Sequence, residues 1–275
     1  MQDLQGKVAV ITGGASGIGK AVATRAAAEG MKLVLGDIEE RALKEAEAEL
    51  AGQGAAVIGV VTDVADADSV HELRDRALRQ FGAVHVIHNN AGVGAGGPLW
   101  TVTEQDWRWI LGVNLWGVIH GISTFVPLFI DQGDGHVVNT ASLAGLTSSP
   151  MLGPYNATKH AVVTISETLY KDLQLANAPV GVSVLCPAFV QTGIGDSGRN
   201  RPSWAPEAEG AEGMAEVIRG LVAGGIPPAV VADRVIDAVK TDTFYILTHP
   251  ERNEDIETRA QDILQGRPPS PMSFV

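Results

Sequence analysis

The sequence feature that most constrains the fold is a glycine-rich turn, Thr12–Gly19 (TGGASGIG), between an apolar run and a helix-forming segment. The β-branched run 7–12 before it is typical of a buried strand. Gly13, Gly17 and Gly19 let the backbone turn sharply, approach a pyrophosphate and begin a helix whose first N–H groups face the anion. A glycine triplet also suits any tight strand–helix turn, but its position after an opening strand favours nucleotide binding.

The rest of the chain continues this alternation of strand and helix. Such a rhythm gives right-handed βαβ units and a parallel sheet. We therefore predict an α/β fold, a single-domain Rossmann-type doubly wound sheet of about seven strands flanked by helices. The predicted strands are 7–12, 32–36, 56–61, 84–89, 135–141, 180–186 and 243–248. The predicted helices are 17–29, 39–51, 66–81, 103–131 (weakened by Gly112 and Gly117), 154–176, 207–223, 228–240 and 251–264.

Domain organisation follows from the absence of a polar linker in the 275 residues, so we expect one domain over 1–275. Residues 193–206 are rich in Gly, Ser, Asn, Arg and Pro, which predicts a mobile loop. The larger segment 193–225 is our candidate for a substrate-binding loop or lid. Residues 266–275 form a C-terminal tail with three prolines, and we expect it to lie across the surface or a neighbouring subunit.

Charge and cysteine content limit the partners and the compartment. The net charge of −12 and the pI of about 5.0 argue against nucleic acid and anionic lipid, but not against a dinucleotide held by backbone N–H groups. The single cysteine, Cys186, fits a reducing compartment and a structural role on a buried strand. No signal peptide is visible, and the longest apolar stretch, Val118–Ile130, is too short to span a bilayer. We expect a soluble, cytoplasmic protein without membrane partners.

Asp37 closes the second predicted strand, shortly after the glycine turn. A carboxylate there can accept hydrogen bonds from the adenosine ribose hydroxyls and would repel a 2′-phosphate. It could instead cap the helix that comes next, and the two roles are compatible. Ser16 occupies a turn position where a basic side chain could have met a 2′-phosphate. These two residues favour NAD over NADP.

Tyr155 and Lys159 open a predicted helix at i and i+4, so they share one helix face. Ser142 lies just past a strand end, where parallel sheets place ligands. A carbonyl that receives a hydride needs a positioned acid for its oxygen. The pKa of free tyrosine is about 10, and a nearby lysine or an oxidised nicotinamide would lower it. Taken alone, the Tyr–Lys pair fits either acid–base chemistry at Tyr155, with Ser142 on the substrate oxygen, or a solvated helix face.

Together these motifs resemble the classical short-chain dehydrogenase/reductase family over about residues 7–247, including its spacing Gly13-x3-Gly17-x-Gly19. The resemblance implies an NAD-dependent oxidoreductase, commonly a homotetramer, that exchanges a hydride between nicotinamide and a secondary alcohol or ketone. Asn114 looks like the catalytic asparagine, which would help a water connect Lys159 to solvent; alternatively it bonds a neighbouring backbone at a helix kink. The cofactor residues implied are Gly13, Ser16, Gly17, Ile18, Gly19, Asp37, Asp63, Val64, Asn90, Ala91, Gly92, Tyr155, Lys159, Pro187, Val190 and Thr192.

The sequence departs from the family pattern after the sixth strand, where Pro187-Ala188 stands in place of Pro-Gly. The alanine adds a methyl group where backbone nears the nicotinamide, so we expect an altered local fit. Val190 and Thr192 still match the segment that holds the carboxamide, by backbone and by hydroxyl respectively.

Substrate choice is expected to come from 94–97, 143–153 and 193–225. The apolar residues Met151, Leu152, Trp204 and Met214 are candidates for a pocket wall, which suggests a hydrophobic substrate, although each could equally be interface packing. Alternatives are an NADP-dependent carbonyl or 3-oxoacyl reductase of this family, a non-catalytic NAD-binding redox sensor, a structural α/β protein, or a homodimer in place of the tetramer.

Several other residues are discounted as site residues. His88 precedes Asn89 inside a strand and is interpreted as a packed core histidine. His85, His120 and His160 show no metal-ligand spacing with cysteine or carboxylate, so we expect no metal.

Overall fold

The computed structural model describes residues 1–206 and 211–271. Its strands are β1 (Val8–Thr12), β2 (Lys32–Asp37), β3 (Val57–Val61), β4 (Val86–Asn89), β5 (Gly135–Thr140), β6 (Val180–Cys186) and β7 (Tyr245–Leu247). They form one parallel sheet in the order β3-β2-β1-β4-β5-β6-β7. The predicted seven-stranded, doubly wound sheet is confirmed, and each predicted strand is present with its ends moved by a few residues at most.

Helices cover both faces of this sheet. They are α1 (Gly17–Ala28), α2 (Glu40–Gly52), α3 (Ala67–Phe81), α4 (Glu104–Leu111), α5 (Gly117–Gln132), α6 (Gly153–Leu175), α7 (Ala211–Ala223), α8 (Pro228–Thr241) and α9 (Asn253–Leu264). Side chains alternate along β1, so Ala9 and Ile11 pack with α1, α2 and α8, whereas Val8 and Val10 pack with α3, α5 and α6. The predicted start of α7, residues 207–210, lies outside the described residues.

The helix predicted over 103–131 is interrupted where its two glycines lie. A capping box between Thr103 and Asp106 starts α4, and a π-helical turn, Gly112–Trp116, joins it to α5. By length and composition, the continuous helical stretch Glu104–Gln132 could cross a membrane. This corrects our expectation that the longest apolar stretch is too short to do so. In this fold its second half packs on the sheet, as core helices of soluble proteins do.

The segment predicted as a mobile loop is also different. Residues Gly193–Asn200 form two short 3-10 helices separated by a kink at Asp196, and ion pairs of Arg199 and Arg201 tie this segment to distant elements. Arg199 contacts Glu39 at 2.6 Å and Arg201 contacts Asp106 at 2.7 Å. The prediction of an irregular loop was wrong because composition reports only local preferences, whereas the carboxylates that pair with Arg199 and Arg201 come from other parts of the chain. We call residues 193–206 the lid segment.

The described part of the C-terminal tail folds back on α9. The backbone N–H of Ser270 donates to the Asp262 carboxylate at 2.8 Å, and Arg267 pairs with the same carboxylate at 2.9 Å. We expected the tail to lie across the surface or a neighbouring subunit, and its described residues lie against α9. Residues 272–275 lie outside the described residues.

The carboxyl ends of all seven strands meet at one edge of the sheet. Chain order reverses between β1 and β4, because β2 and β3 lie on one side of β1 and β4 to β7 on the other. Ligands of open parallel sheets bind in the crevice at such a switch point. The glycine turn comes directly after β1 and therefore borders this crevice.

Candidate active site

The glycine turn is packed so tightly that its glycines cannot be replaced without movement. A Cβ on Gly19 would lie 2.1 Å from the Gly13 carbonyl oxygen, and a Cβ on Gly13 would lie 2.9 Å from the Cα of Ala91. Gly13 also has a left-handed φ of 63°. Asn90 joins the strands here, donating from Nδ2 to the Thr12 carbonyl at 3.0 Å. The result is a backbone cradle at the N-terminus of α1.

Several predicted cofactor residues surround this cradle. Ser16 occupies the N-cap position of α1 without a side-chain capping bond, and its side chain is exposed. The methyl group of Thr192 approaches the turn, since a Cβ on Gly17 would lie 3.1 Å from it. Gly19 is buried and acts by packing, whereas Gly13, Ser16, Gly17 and Ile18 line the adjoining cavity.

Asp37 connects the end of β2 to the turn. Its Oδ2 accepts a hydrogen bond from the Ala15 N–H at 3.0 Å, and its Oδ1 accepts one from the Glu39 N–H at 3.0 Å. Burial raises the pKa of this carboxyl, and the backbone bonds oppose the rise. Asp37 is not the N-cap of α2, because Glu39 occupies that position. Asp37 instead accepts a hydrogen bond from the N–H of this N-cap residue.

Asp63 and Val64 come after β3 and line the same crevice. The Asp63 carboxylate accepts the Ala65 N–H at 2.9 Å, which fixes the turn. The Val64 carbonyl lies 2.9 Å from Nδ1 of His120, and Val64 packs directly over Gly117. Asp63 is thus held by a backbone bond, and Val64 is held by contacts with α5.

Ser142, Tyr155 and Lys159 come together in the crevice beside the end of β5. A hydrogen bond joins the Ser142 and Tyr155 hydroxyls, and the Lys159 Nζ lies 5.5 Å from the centre of the Tyr155 ring. Lys159 also donates to the Thr140 carbonyl at 2.9 Å, and burial lowers its pKa to about 8. Burial raises the pKa of Tyr155, against the direction expected from the lysine; the Ser142 bond opposes that rise.

Asn114 lies in the π-helical turn and is almost fully buried. Its amide bonds both backbone groups of Val93, accepting from N–H at 2.8 Å and donating to C=O at 2.9 Å. Asn114 therefore has the alternative role given above, in which it bonds a neighbouring backbone at a helix irregularity. A Cβ on Gly92 would lie 3.5 Å from the Asn114 Oδ1 and 3.7 Å from the Lys159 Nζ, so both polar groups border the same backbone.

The segment after β6 closes the crevice from the other side. The Pro187 carbonyl accepts hydrogen bonds from the Ser142 hydroxyl at 3.2 Å and from the Leu143 N–H at 2.8 Å. The φ angle of Ala188 is not positive, so alanine fits at this position without backbone strain. Val190 pairs with Ile226 in an isolated bridge and is buried.

Sequence reasoning missed His249 in this region. Its imidazole contacts the backbone of Ala188 and Phe189. The available signal was topological, because His249 comes just after the last strand and all carboxyl ends share one edge.

A cavity of about 1070 Å³ runs from the glycine turn to the lid segment. Three of the four predicted wall residues, Met151, Leu152 and Trp204, line it, and Met151 has a left-handed φ of 66°. The side chain of Met214 lies outside the described residues. Further predicted site residues on the cavity are Asp37, Asp63, Val64, Asn90, Ala91, Gly92, Ser142, Tyr155, Lys159, Pro187, Val190 and Thr192.

The discounted residues are structural in this fold. His88 is buried, lies 2.9 Å from the Thr140 hydroxyl, and has a pKa lowered to about 3 by burial. Burial raises the pKa of the Cys186 thiol to about 12. Among the described residues, no three His, Cys, Asp or Glu side chains are grouped to hold a metal ion.

Comparison with known proteins is consistent across sequence and structure. The family model described as short chain dehydrogenase matches residues 7–202. A dehydrogenase/reductase of CLA biosynthesis from Lactiplantibacillus plantarum is 35% identical, over 98% of this chain and 97% of the relative. The 1-deoxy-11-beta-hydroxypentalenate dehydrogenase of Streptomyces avermitilis is 37% identical, over 94% and 89%. A Burkholderia phymatum crystal structure in complex with NAD, of a short chain dehydrogenase/reductase, has a TM-score of 0.97 and 46% identity, covering 99% of this chain and 100% of that one.

Proposed function

The chain belongs to the short-chain dehydrogenase/reductase family of oxidoreductases, and from this premise we propose that it is an NAD-dependent enzyme for a hydrophobic secondary alcohol or its ketone. One observation carries the proposal. The Ser142–Tyr155–Lys159 cluster and the glycine turn with Asp37 line one cavity, and β4 separates the strand before Ser142 from the strand before the glycine turn. This separation suits an extended dinucleotide whose phosphates would lie at the turn and whose nicotinamide would lie beside Tyr155.

The residues present fit a dinucleotide. Gly13 and Gly19 allow the turn to pack closely on itself and on Ala91, and the turn lines the cavity where α1 begins with its first N–H groups, which are the groups that bind a pyrophosphate at a helix N-terminus. Each Asp37 oxygen accepts one backbone bond, so an ionised carboxylate keeps lone pairs for ribose hydroxyls. When bound, nicotinamide supplies or takes the hydride.

The catalytic roles follow from the cluster's contacts. Ser142 holds the substrate oxygen by a hydrogen bond, and the Tyr155 hydroxyl gives or takes the proton on that oxygen. Lys159, with a pKa of about 8, is mainly a cation at neutral pH, and its charge favours the phenolate of Tyr155. Asn114 positions the backbone at Val93 and Gly92 beside Lys159.

Two observations support the choice of NAD and of an apolar substrate. Asp37 would repel a 2′-phosphate, and the similar Burkholderia protein was crystallised with NAD. Met151, Leu152 and Trp204 supply apolar cavity wall, and the Streptomyces relative is named for a hydroxylated substrate. We further propose one catalytic domain, assembled in the cytoplasm as a homotetramer or homodimer; size-exclusion chromatography with light scattering tests the assembly.

The experiment is a panel of secondary alcohols and ketones assayed with NAD(H) and NADP(H) in parallel. We expect turnover with NAD(H) in preference to NADP(H), and Tyr155→Phe should lower kcat by about 10²- to 10⁴-fold. Tyr170→Phe is the matched control, because Tyr170 lies on the same helix but is partly exposed against Phe244. Full turnover by Tyr155→Phe would refute the assignment, a preference for NADP(H) would favour the carbonyl-reductase alternative, and binding without turnover would favour the redox sensor.

A further inference from the structure

His249 lies two residues beyond β7 and reaches across the sheet edge to the segment after β6. Its Nδ1 is 3.2 Å from the Ala188 backbone nitrogen, and its Nε2 is 3.1 Å from the Phe189 carbonyl oxygen. The Thr248 hydroxyl is 2.8 Å from the same Nδ1. One imidazole thus contacts two successive residues of one backbone segment.

These partners fix the tautomer of the ring. A backbone N–H can only donate, so Nδ1 accepts from Ala188, and a carbonyl can only accept, so Nε2 carries the hydrogen that it donates to Phe189. The ring is neutral in this arrangement. Burial lowers the pKa of His249, which favours the same neutral form.

The segment that His249 holds joins the two halves of the proposed site. The Pro187 carbonyl, one residue before Ala188, accepts the Ser142 hydroxyl. Val190 and Thr192, just after Phe189, are the residues expected at the carboxamide. On the opposite side two backbone bonds hold the segment, from the Ile226 N–H to the Phe189 carbonyl at 3.1 Å and from the Gln191 N–H to the Ile226 carbonyl at 3.0 Å, and the Gln191 side chain donates to the Ala223 carbonyl at 3.4 Å.

We propose that His249 is a positioning residue for the nicotinamide end of the cofactor site, fixing the Pro187–Thr192 backbone against Ser142. The inference rests on the proposed function, because it requires a nicotinamide beside that backbone. The adenosine and pyrophosphate end would lie at the glycine turn and Asp37. Thr192, at one end of the segment, approaches Gly17 with its methyl group, whereas His249 contacts Ala188 and Phe189 nearer the other end. Binding of the adenosine and pyrophosphate groups should therefore not require His249.

The test compares two ligands that differ in the nicotinamide group. Dissociation constants of NADH and of ADP-ribose, which lacks nicotinamide, are measured by calorimetry for the wild type, His249→Ala and His249→Asn. His249→Ala should weaken NADH binding about tenfold, as expected for the loss of two backbone hydrogen bonds, and leave ADP-ribose binding unchanged. His249→Asn should be intermediate, because its Oδ1 branches from Cγ as Nδ1 does and can accept the Ala188 N–H.

A histidine far from the crevice provides the control. His71→Ala removes a half-exposed histidine of α3 and should bind both ligands as the wild type does. Unchanged NADH binding in His249→Ala, or equal weakening of NADH and ADP-ribose in both His249 variants, overturns the inference. Failure of the wild type to bind either ligand would instead overturn the proposed function.

Discussion

Two buried histidines should make this protein lose stability in mild acid. His88 and His136 are each 1% exposed and bond hydroxyl groups, Thr140 at 2.9 Å and Ser183 at 2.8 Å. Burial lowers the pKa of His88 to about 3 and that of His136 to about 4. Unfolded histidine titrates near 6.5, so the two states bind different numbers of protons below that pH.

The sign and the size of the effect come from this difference. Well above pH 6.5 both states are neutral at these residues and no stability is lost. As the pH falls, both histidines become protonated in the unfolded chain. In the folded protein His136 stays neutral down to about pH 4 and His88 down to about pH 3, so the free energy of unfolding decreases. At pH 5 the loss is about 2 kcal/mol for each histidine, or about 4 kcal/mol together.

Urea denaturation at pH 7 and pH 5, at one protein concentration, measures this loss. The double variant His88→Gln/His136→Gln has no imidazole to titrate at either site and keeps an amide near each hydroxyl. Its free energy of unfolding should therefore fall by about 4 kcal/mol less than that of the wild type. His71→Gln, at a half-exposed histidine, should keep the wild-type loss. An equal loss in the double variant and the wild type would refute the reasoning.

Three further changes test the glycine turn, the lid segment and the segment after β6. Gly19→Ala should abolish NADH binding measured by fluorescence, because its Cβ would meet the Gly13 carbonyl at 2.1 Å; wild-type affinity would contradict the packing. Asp106→Asn should destabilise the fold by about 3–5 kcal/mol in urea denaturation, since it leaves Arg201 buried without its carboxylate; a loss below about 1 kcal/mol would show that the pair is solvated. Ala188→Gly should lower the free energy of unfolding by about 0.5–1 kcal/mol through the unfolded chain, with NADH affinity unchanged; weaker binding would mean that the methyl group contributes to the site.

Much of the fold was readable from the sequence because its signals are local. Runs of β-branched residues followed by glycine mark the strands. Gly82 ends α3 in the left-handed conformation, which glycine adopts more readily than other residues. The same holds for the glycine turn, Asp37 and the Tyr155–Lys159 pair. Each is a short-range pattern whose geometry is set by one turn or one helix.

The rest depends on contacts between distant parts of the chain. Arg199 and Glu39 are 160 positions apart, and neither side chain by itself indicates the other. His249 likewise belongs to no local motif, and only the pairing of β7 with β6 brings it to Ala188. Local composition therefore predicted a loose loop where long-range ion pairs and hydrogen bonds define the structure.

The π-helical turn between α4 and α5 has a consequence for how substrate preference could change. One extra residue in a helical turn rotates the next helix by about 100° relative to an uninterrupted α-helix. The two halves therefore present different faces to the protein, with Trp109 and Ile110 packing beneath Ala205 of the lid segment and Phe125 and Phe129 packing into the sheet. Residues on α4 can thus be exchanged to reshape the cavity wall while α5 continues to anchor the core.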